Sequence, residues 1–122
     1  MVSKQKILIV DDDNNIAELI ALYLTKECFE TKIVNDGEEA LREFASFRPD
    51  LIILDIDMPE INGYEMLKII REKPHLKGVP VIFLTSNNDK DHVIKAVADG
   101  ANGYVVKPID EEVLLDKIQG AL

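Results

Sequence analysis

Short apolar runs alternate with amphipathic segments five times along these 122 residues, and that alternation leaves few folds open. The segments are Lys6-Val10, Ile16-Glu27, Thr31-Val34, Glu38-Phe47, Leu51-Leu54, Tyr64-Lys73, Val81-Leu84, His92-Asp99, Gly103-Val106 and Glu111-Leu122. Unbroken or alternating apolar runs mark strands, and apolar residues three and four apart mark helices. Strand then helix, repeated, implies a parallel sheet covered by helices. Ile7-Val10, Leu51-Leu54 and Val81-Leu84 are apolar on both faces, as central strands require. Thr31-Val34 and Gly103-Val106 are more mixed and read as edges. The pattern predicts an α/β, doubly wound (βα)5 sandwich with strand order 2-1-3-4-5 and a switch point between strands one and three. No linker, low-complexity tract or repeat divides the chain, so residues 1–122 read as a single domain.

Asp36-Gly37, Asn62-Gly63 and Asn102-Gly103 are dipeptides that favour tight hairpins. Here the first two precede helical patterns and the third follows one, so all three punctuate strand–helix connections.

The strand ends carry the chemistry. Ile7-Val10 runs into Asp11-Asp12-Asp13, Leu51-Leu54 into Asp55, Val81-Leu84 into Thr85-Ser86, and Gly103-Val106 into Lys107-Pro108. In a parallel sheet all four ends share one edge, which then holds an acid cluster, a hydroxyl and an ammonium. That set suits metal-assisted phosphoryl chemistry. Asp13, just ahead of Ile16, reads as a helix N-cap. Asp11, Asp12 and Asp55 meet at the switch point, where two carboxylates about 4 Å apart repel by roughly 4 kcal/mol at an effective dielectric near 20. A cation belongs between them, and oxygen-only donors beside a phosphate favour Mg²⁺. Thr85 can donate to a phosphoryl oxygen and Lys107 can pair with the same group. A cis bond before Pro108 would turn the ammonium inward.

Other motifs fail on spacing. A calcium loop started at Asp11 or Asp55 would need Gly where Ile16 or Glu60 stands and Glu where Leu22 or Met66 stands. No P-loop or dinucleotide glycine pattern is present, and His75 and His92 are isolated. The balance of 14 Lys+Arg against 23 Asp+Glu, a net charge of −9, opposes direct binding to nucleic acid or anionic membranes. With no signal-peptide core, no membrane-length apolar run and only Cys28, the expected location is cytoplasmic.

These residues resemble the response-regulator receiver domains of two-component signalling, from about Lys6 to Leu122. Val10-Asp11-Asp12 is similar to the family's acidic pair, and Leu54-Asp55-Ile56-Asp57-Met58-Pro59 to its phosphoacceptor segment. Gly63 falls at its loop glycine, Thr85-Ser86 at its hydroxyl position, Tyr104 at its switch aromatic, and Lys107-Pro108 at its cis Lys-Pro pair. The resemblance implies a flavodoxin-like fold and a phosphoacceptor at Asp55, served by a histidine kinase or phosphotransfer protein. It also implies Mg²⁺ held by Asp11 or Asp12, Asp55 and the backbone carbonyl of Asp57. Such a domain is a signalling phosphoacceptor that assists its own phosphorylation and dephosphorylation rather than an enzyme. Phosphorylation would draw Thr85 inward, let Tyr104 follow, and reshape the face formed by helix four, strand five and helix five.

That face carries Lys90, Asp91, Lys95 and Lys117, and leaves an effector domain, a partner protein and dimerisation all open. Helix one is expected to bury Ile16, Leu19, Ile20, Tyr23 and Leu24, which leaves Leu22 exposed where receivers dock their phosphodonor. The Asp57 side chain is expected to add a further negative charge to the acid cluster. Two alternatives remain at this point. Asp55-Ile56-Asp57 is similar to the nucleophile segment of haloacid-dehalogenase-type phosphatases, although Met58 and the early acid pair depart from that pattern. A phosphate-independent pseudo-receiver would be a binding module only, which the intact Asp55, Thr85 and Lys107 set disfavours.

Overall fold

A computed structural model describes residues 4–86 and 90–122, without the side chains of Lys90, His92, Val93 and Ala96. The Lys90 and His92 side chains and the Met1-Val2-Ser3 segment therefore lie outside the described residues. The elements are β1 (Lys6–Val10), α1 (Asn14–Lys26), β2 (Glu30–Val34), α2 (Gly37–Phe47), β3 (Leu51–Asp55), α3 (Gly63–Glu72), β4 (Val81–Thr85), α4 (Lys90–Ala98), β5 (Gly103–Val106) and α5 (Glu111–Ala121). The strands form one parallel sheet in the order β2-β1-β3-β4-β5, as the apolar pattern predicts.

Successive strand residues point to opposite faces, so each doubly apolar strand feeds two cores. Leu8, Val10, Ile52, Leu54, Val81 and Phe83 pack with Phe44 of α2 and Met66 and Leu67 of α3. Ile7, Ile9, Leu51, Ile53, Ile82 and Leu84 pack with Ile20 and Leu24 of α1 and Leu114 and Ile118 of α5. Burying each of these side chains contributes about 1.5–3 kcal/mol. The sheet is thus fixed from both sides, and its carboxyl edge is a rigid place to mount polar groups.

The connections are stopped by side-chain caps. Asp13 accepts hydrogen bonds from the Asn15 and Ile16 amides, Asp36 from Glu39, Asn62 from Glu65, and Asp110 from Val113. Asp13 is therefore the cap its position suggested, and Asp36-Gly37 and Asn62-Gly63 open helices rather than hairpins.

In α1 the buried residues are Ala17, Ile20 and Leu24, with Ile16 and Tyr23 packed at the margin of the same core. Leu19 departs from the expected stripe and is 39 % exposed, alongside Leu22 at 59 %. The reason is angular: at about 100° per residue, Leu19 stands a quarter-turn from Ile20, beyond the half-cylinder facing the sheet. Leu19 and Leu22 together make the apolar exposure of this helix.

Arg71, which no sequence pattern singles out, ties down the opposite end of the sheet. Its Nη1 donates to the carbonyl oxygen of Val79 at 2.7 Å, and its Nη2 donates to the Gly100 carbonyl at 2.9 Å and to Asn102 Oδ1 at 3.1 Å. Asn102 Oδ1 also accepts from the Val81 amide at 2.9 Å, so one guanidinium joins the entries to β4 and β5. Arg71→Ala strands these acceptors and is expected to lower stability by about 2 kcal/mol. A urea unfolding midpoint matching the parent's would refute this bracing role.

Candidate functional site

Asp11 follows β1 directly and Asp55 ends β3, the two strands flanking the switch point. The doubly apolar strands carry both carboxylates to the edge of the core, where Asp11 is fully buried and Asp55 is 2 % exposed. Lys107, just past β5, reaches across to both. Its Nζ lies 3.4 Å from Asp11 Oδ2 and 3.4 Å from Asp55 Oδ1. The Lys107-Pro108 peptide bond is cis, as its sequence context suggested.

The backbone supplies further support. The Asp13 amide donates to Asp11 Oδ1 at 2.9 Å and the Asp57 amide to Asp55 Oδ1 at 3.2 Å. Asp11 Oδ2 is buried without a hydrogen bond and has Lys107 as an ion-pair partner. Burial, and then the neighbouring charge of Asp11, push the Asp55 carboxyl up to about 7, against the opposing pull of Lys107. Burial draws the Lys107 ammonium down, but the Asp55 and Asp11 charges outweigh it, so its proton is held more tightly than an ordinary lysine's.

Asp12 completes an acid triplet. One carboxylate oxygen from each of Asp11, Asp12 and Asp55 lies within 4.8 Å of the others, with Asp12 on the solvent side. The triplet offers three hard oxygen donors, and Asp11, one of its members, carries a buried oxygen without a hydrogen bond, while Lys107 pairs with Asp11 and Asp55. This donor set fits a hard divalent cation.

The other expected residues fall into place unevenly. Thr85 is buried at the end of β4, one residue past Leu84, the register partner of Asp55. Tyr104 is not at this edge: it pairs with Phe83, while Thr85 pairs with Val106. Its half-buried ring packs on the α2/α3 core, with Lys117 Nζ 5.9 Å from the ring centroid. The Asp57 side chain is exposed and lies outside the acid triplet, contrary to expectation. The chain has left β3 at Asp55, and Asp57 Oδ2 instead accepts from Ser86 Oγ at 3.3 Å.

Gly63 has a steric reason that only the fold reveals. Its amide donates to the Ile56 carbonyl, and a Cβ there would sit 2.7 Å from Ile56 Cα and 2.9 Å from the Asp55 carbonyl oxygen. Asn35 is a residue that sequence reasoning missed. Its Nδ2 donates to the Asp11 carbonyl at 3.1 Å and to Asn14 Oδ1 at 3.2 Å. Its only signal in the chain is its place at the end of the second strand.

Residues 7–119 match the response regulator receiver domain family. The DNA-binding response regulator MtrA of Mycolicibacterium smegmatis is 35 % identical over 119 residues, covering 98 % of this chain and 51 % of the relative. The CAI-1 autoinducer sensor kinase/phosphatase CqsS of Vibrio cholerae is 35 % identical over 116 residues, covering 94 % of this chain and 17 % of that protein. The structure of the Vibrio cholerae chemotaxis protein CheY4 superposes with a TM-score of 0.93 at 33 % identity, covering 98 % of this chain and 100 % of that one. The chain belongs to the receiver domain family of two-component response regulators. It spans about half the length of MtrA and less of CqsS. Among the described residues no helix is long and apolar enough to cross a membrane.

Proposed function

We propose that residues 1–122 act as one cytoplasmic signalling unit that takes a phosphoryl group onto Asp55 from a histidine kinase or phosphotransfer protein. The observation that carries this reading is the placement of Asp55, nearly buried at a rigid strand end with Lys107 Nζ 3.4 Å away. An Asp55 carboxylate oxygen attacks the phosphorus in line. The new O–P bond forms as the donor's N–P bond breaks, and the electron pair leaves with the imidazole. Lys107, already in position, pairs with a phosphoryl oxygen, and Thr85 donates its hydroxyl to another once it is drawn inward. Mg²⁺, bound by Asp11, Asp12, Asp55 and the Asp57 backbone carbonyl, would supply positive charge against the repulsion between carboxylates and phosphate.

The donor docks on the exposed Leu19 and Leu22 of α1, which lies beside the acid loop. Thr85 moving toward the phosphoryl group leaves room that Tyr104 follows, and the α4, β5 and α5 face changes shape. An effector domain or partner protein, or a second copy of the chain, reads that face. The strong negative charge keeps this domain itself off nucleic acid, even where a relative is named for DNA binding.

The test is acetyl phosphate with Mg²⁺, followed by intact mass. One phosphoryl group is expected in the parent and none in Asp55→Asn. Undiminished labelling of that variant would refute the assignment, and turnover of aryl phosphates would favour a phosphatase instead.

A further inference from the structure

We infer that Asn35 is a positioning residue for the acid site, fixing the loop that presents Asp11 and Asp12. The proposal rests on the reading that this pocket holds Mg²⁺. The β1–β2 ladder runs in register from Lys6↔Glu30 to Val10↔Val34, and the Asp11 amide extends it by donating to the Val34 carbonyl at 3.1 Å. A continued parallel ladder would next bring the Asp36 amide to the Asp11 carbonyl. Among the described residues no bond from the Asp36 amide to that carbonyl is present, for the chain turns there into α2 with Asp36 as its N-cap.

The Asn35 side chain supplies the missing donor. One hydrogen of Nδ2 goes to the Asp11 carbonyl at 3.1 Å, and the other to Asn14 Oδ1, at the start of α1, at 3.2 Å. The Asn35 backbone amide in turn contacts Glu39 Oε2 at 3.4 Å, which ties the bridge to α2.

The two contacts bracket Asp12. The chain is held at the Asp11 carbonyl before it and at Asn14 after it, so Asp12 is carried on a segment fixed at both ends. Asp13 reinforces the far side through its amide bond to Asp11 Oδ1 and its cap on α1. The peptide between Asp11 and Asp12 can rotate only by breaking the Asn35 bond, and that rotation would swing Asp12 out of the triplet. Asn35 touches neither the cation nor the phosphoryl group in this account. It acts through the backbone that aims the ligands, in the way outer groups orient first-layer carboxylates elsewhere.

Asn35→Leu keeps the shape and removes the donor. Mg²⁺ titration of the metal-free folded protein, followed through the amide signals of Asp11 to Asp13, is expected to show binding weaker by on the order of tenfold. Asn14→Ala removes only the second acceptor, leaves the Asp11 carbonyl held, and should weaken binding by clearly less than Asn35→Leu. An Asn35→Leu variant that binds Mg²⁺ as tightly as the parent overturns the proposal, whatever its melting temperature. A loss in Asn14→Ala equal to that in Asn35→Leu overturns the role given to the Asp11 carbonyl. A parent protein with no Mg²⁺ response would instead refute the underlying metal reading, so the two failures are distinguishable.

Discussion

In metal-free solution at pH 8, Lys107→Met unfolds more easily than the parent by about 3 kcal/mol. The parent ammonium stands 3.4 Å from a carboxylate oxygen of Asp11 and of Asp55, and its side chain is 16 % exposed. At that separation and an effective dielectric near 20, each opposite-charge pair attracts by about 5 kcal/mol before desolvation is counted. Methionine fills similar space and returns neither attraction, leaving two buried acids facing each other. The loss stays well below the sum of the pairs because Asp55, already pushed up to about 7, can take a proton instead of carrying its charge. The deficit should therefore shrink at pH 5.5, where that proton is present in the parent as well. Mg²⁺ should stabilise the variant more than the parent, since it meets a less compensated cluster and stabilises by mass action. Urea unfolding at the two pH values, with EDTA or Mg²⁺, measures all three effects. A variant as stable as the parent at pH 8 without metal would mean that Lys107 does not neutralise the acids.

What the sequence made legible follows from how local each signal is. β1, β3 and β4 were readable because a strand covered on both faces must be apolar at every position, and Asp55 stood out by ending such a run. The convergence of Asp11, Asp12, Asp55 and Lys107 then followed from parallel topology alone, which sends all strand ends to one edge. Asn35 and Arg71 were not readable. Their partners include backbone carbonyls 24 and 29 residues away, and a carbonyl carries no sequence signature. Leu19 misled because leucine is apolar whether or not its angle around α1 faces the sheet. Asp57 misled because proximity in sequence to Asp55 says nothing of direction once the strand has ended, and its side chain turns to Ser86. Patterns enforced by burial are visible in one dimension, whereas polar contacts between loops require the fold.

The same electrostatics predict that removing the phosphoacceptor charge stabilises the protein. The folded Asp55 carboxyl titrates at about 7, against 3.8 for the free side chain. Because the folded value is the higher one, the native state retains a proton that the unfolded chain has lost between those two values, so stability falls as pH rises through that window. At 1.36 kcal/mol per pKa unit the full span sets a ceiling of about 4 kcal/mol. The pull of Lys107 and of the Asp57 amide is already contained in the value of about 7, and charge interactions that persist in the unfolded chain bring the expected size to about 3 kcal/mol. Asn at this position has nearly the same shape and no charge to desolvate. Asp55→Asn should therefore match the parent only near pH 4, gain on it as pH rises from there to about 7, and exceed it by about 3 kcal/mol at pH 8 in EDTA, with the advantage levelling off above 7. Mg²⁺ should narrow the gap, since it favours the charged parent and has one ligand fewer in the variant. Urea unfolding of both proteins from about pH 4 to about pH 8.5 gives the comparison. An Asn variant less stable than the parent at pH 8 would show that Lys107 more than compensates the buried charge, and that Asp55 is an ordinary ion-pair carboxylate. The predicted sign would instead mark Asp55 as a site held against its own stability, a charge kept in the core because only the ionised carboxylate can attack phosphorus.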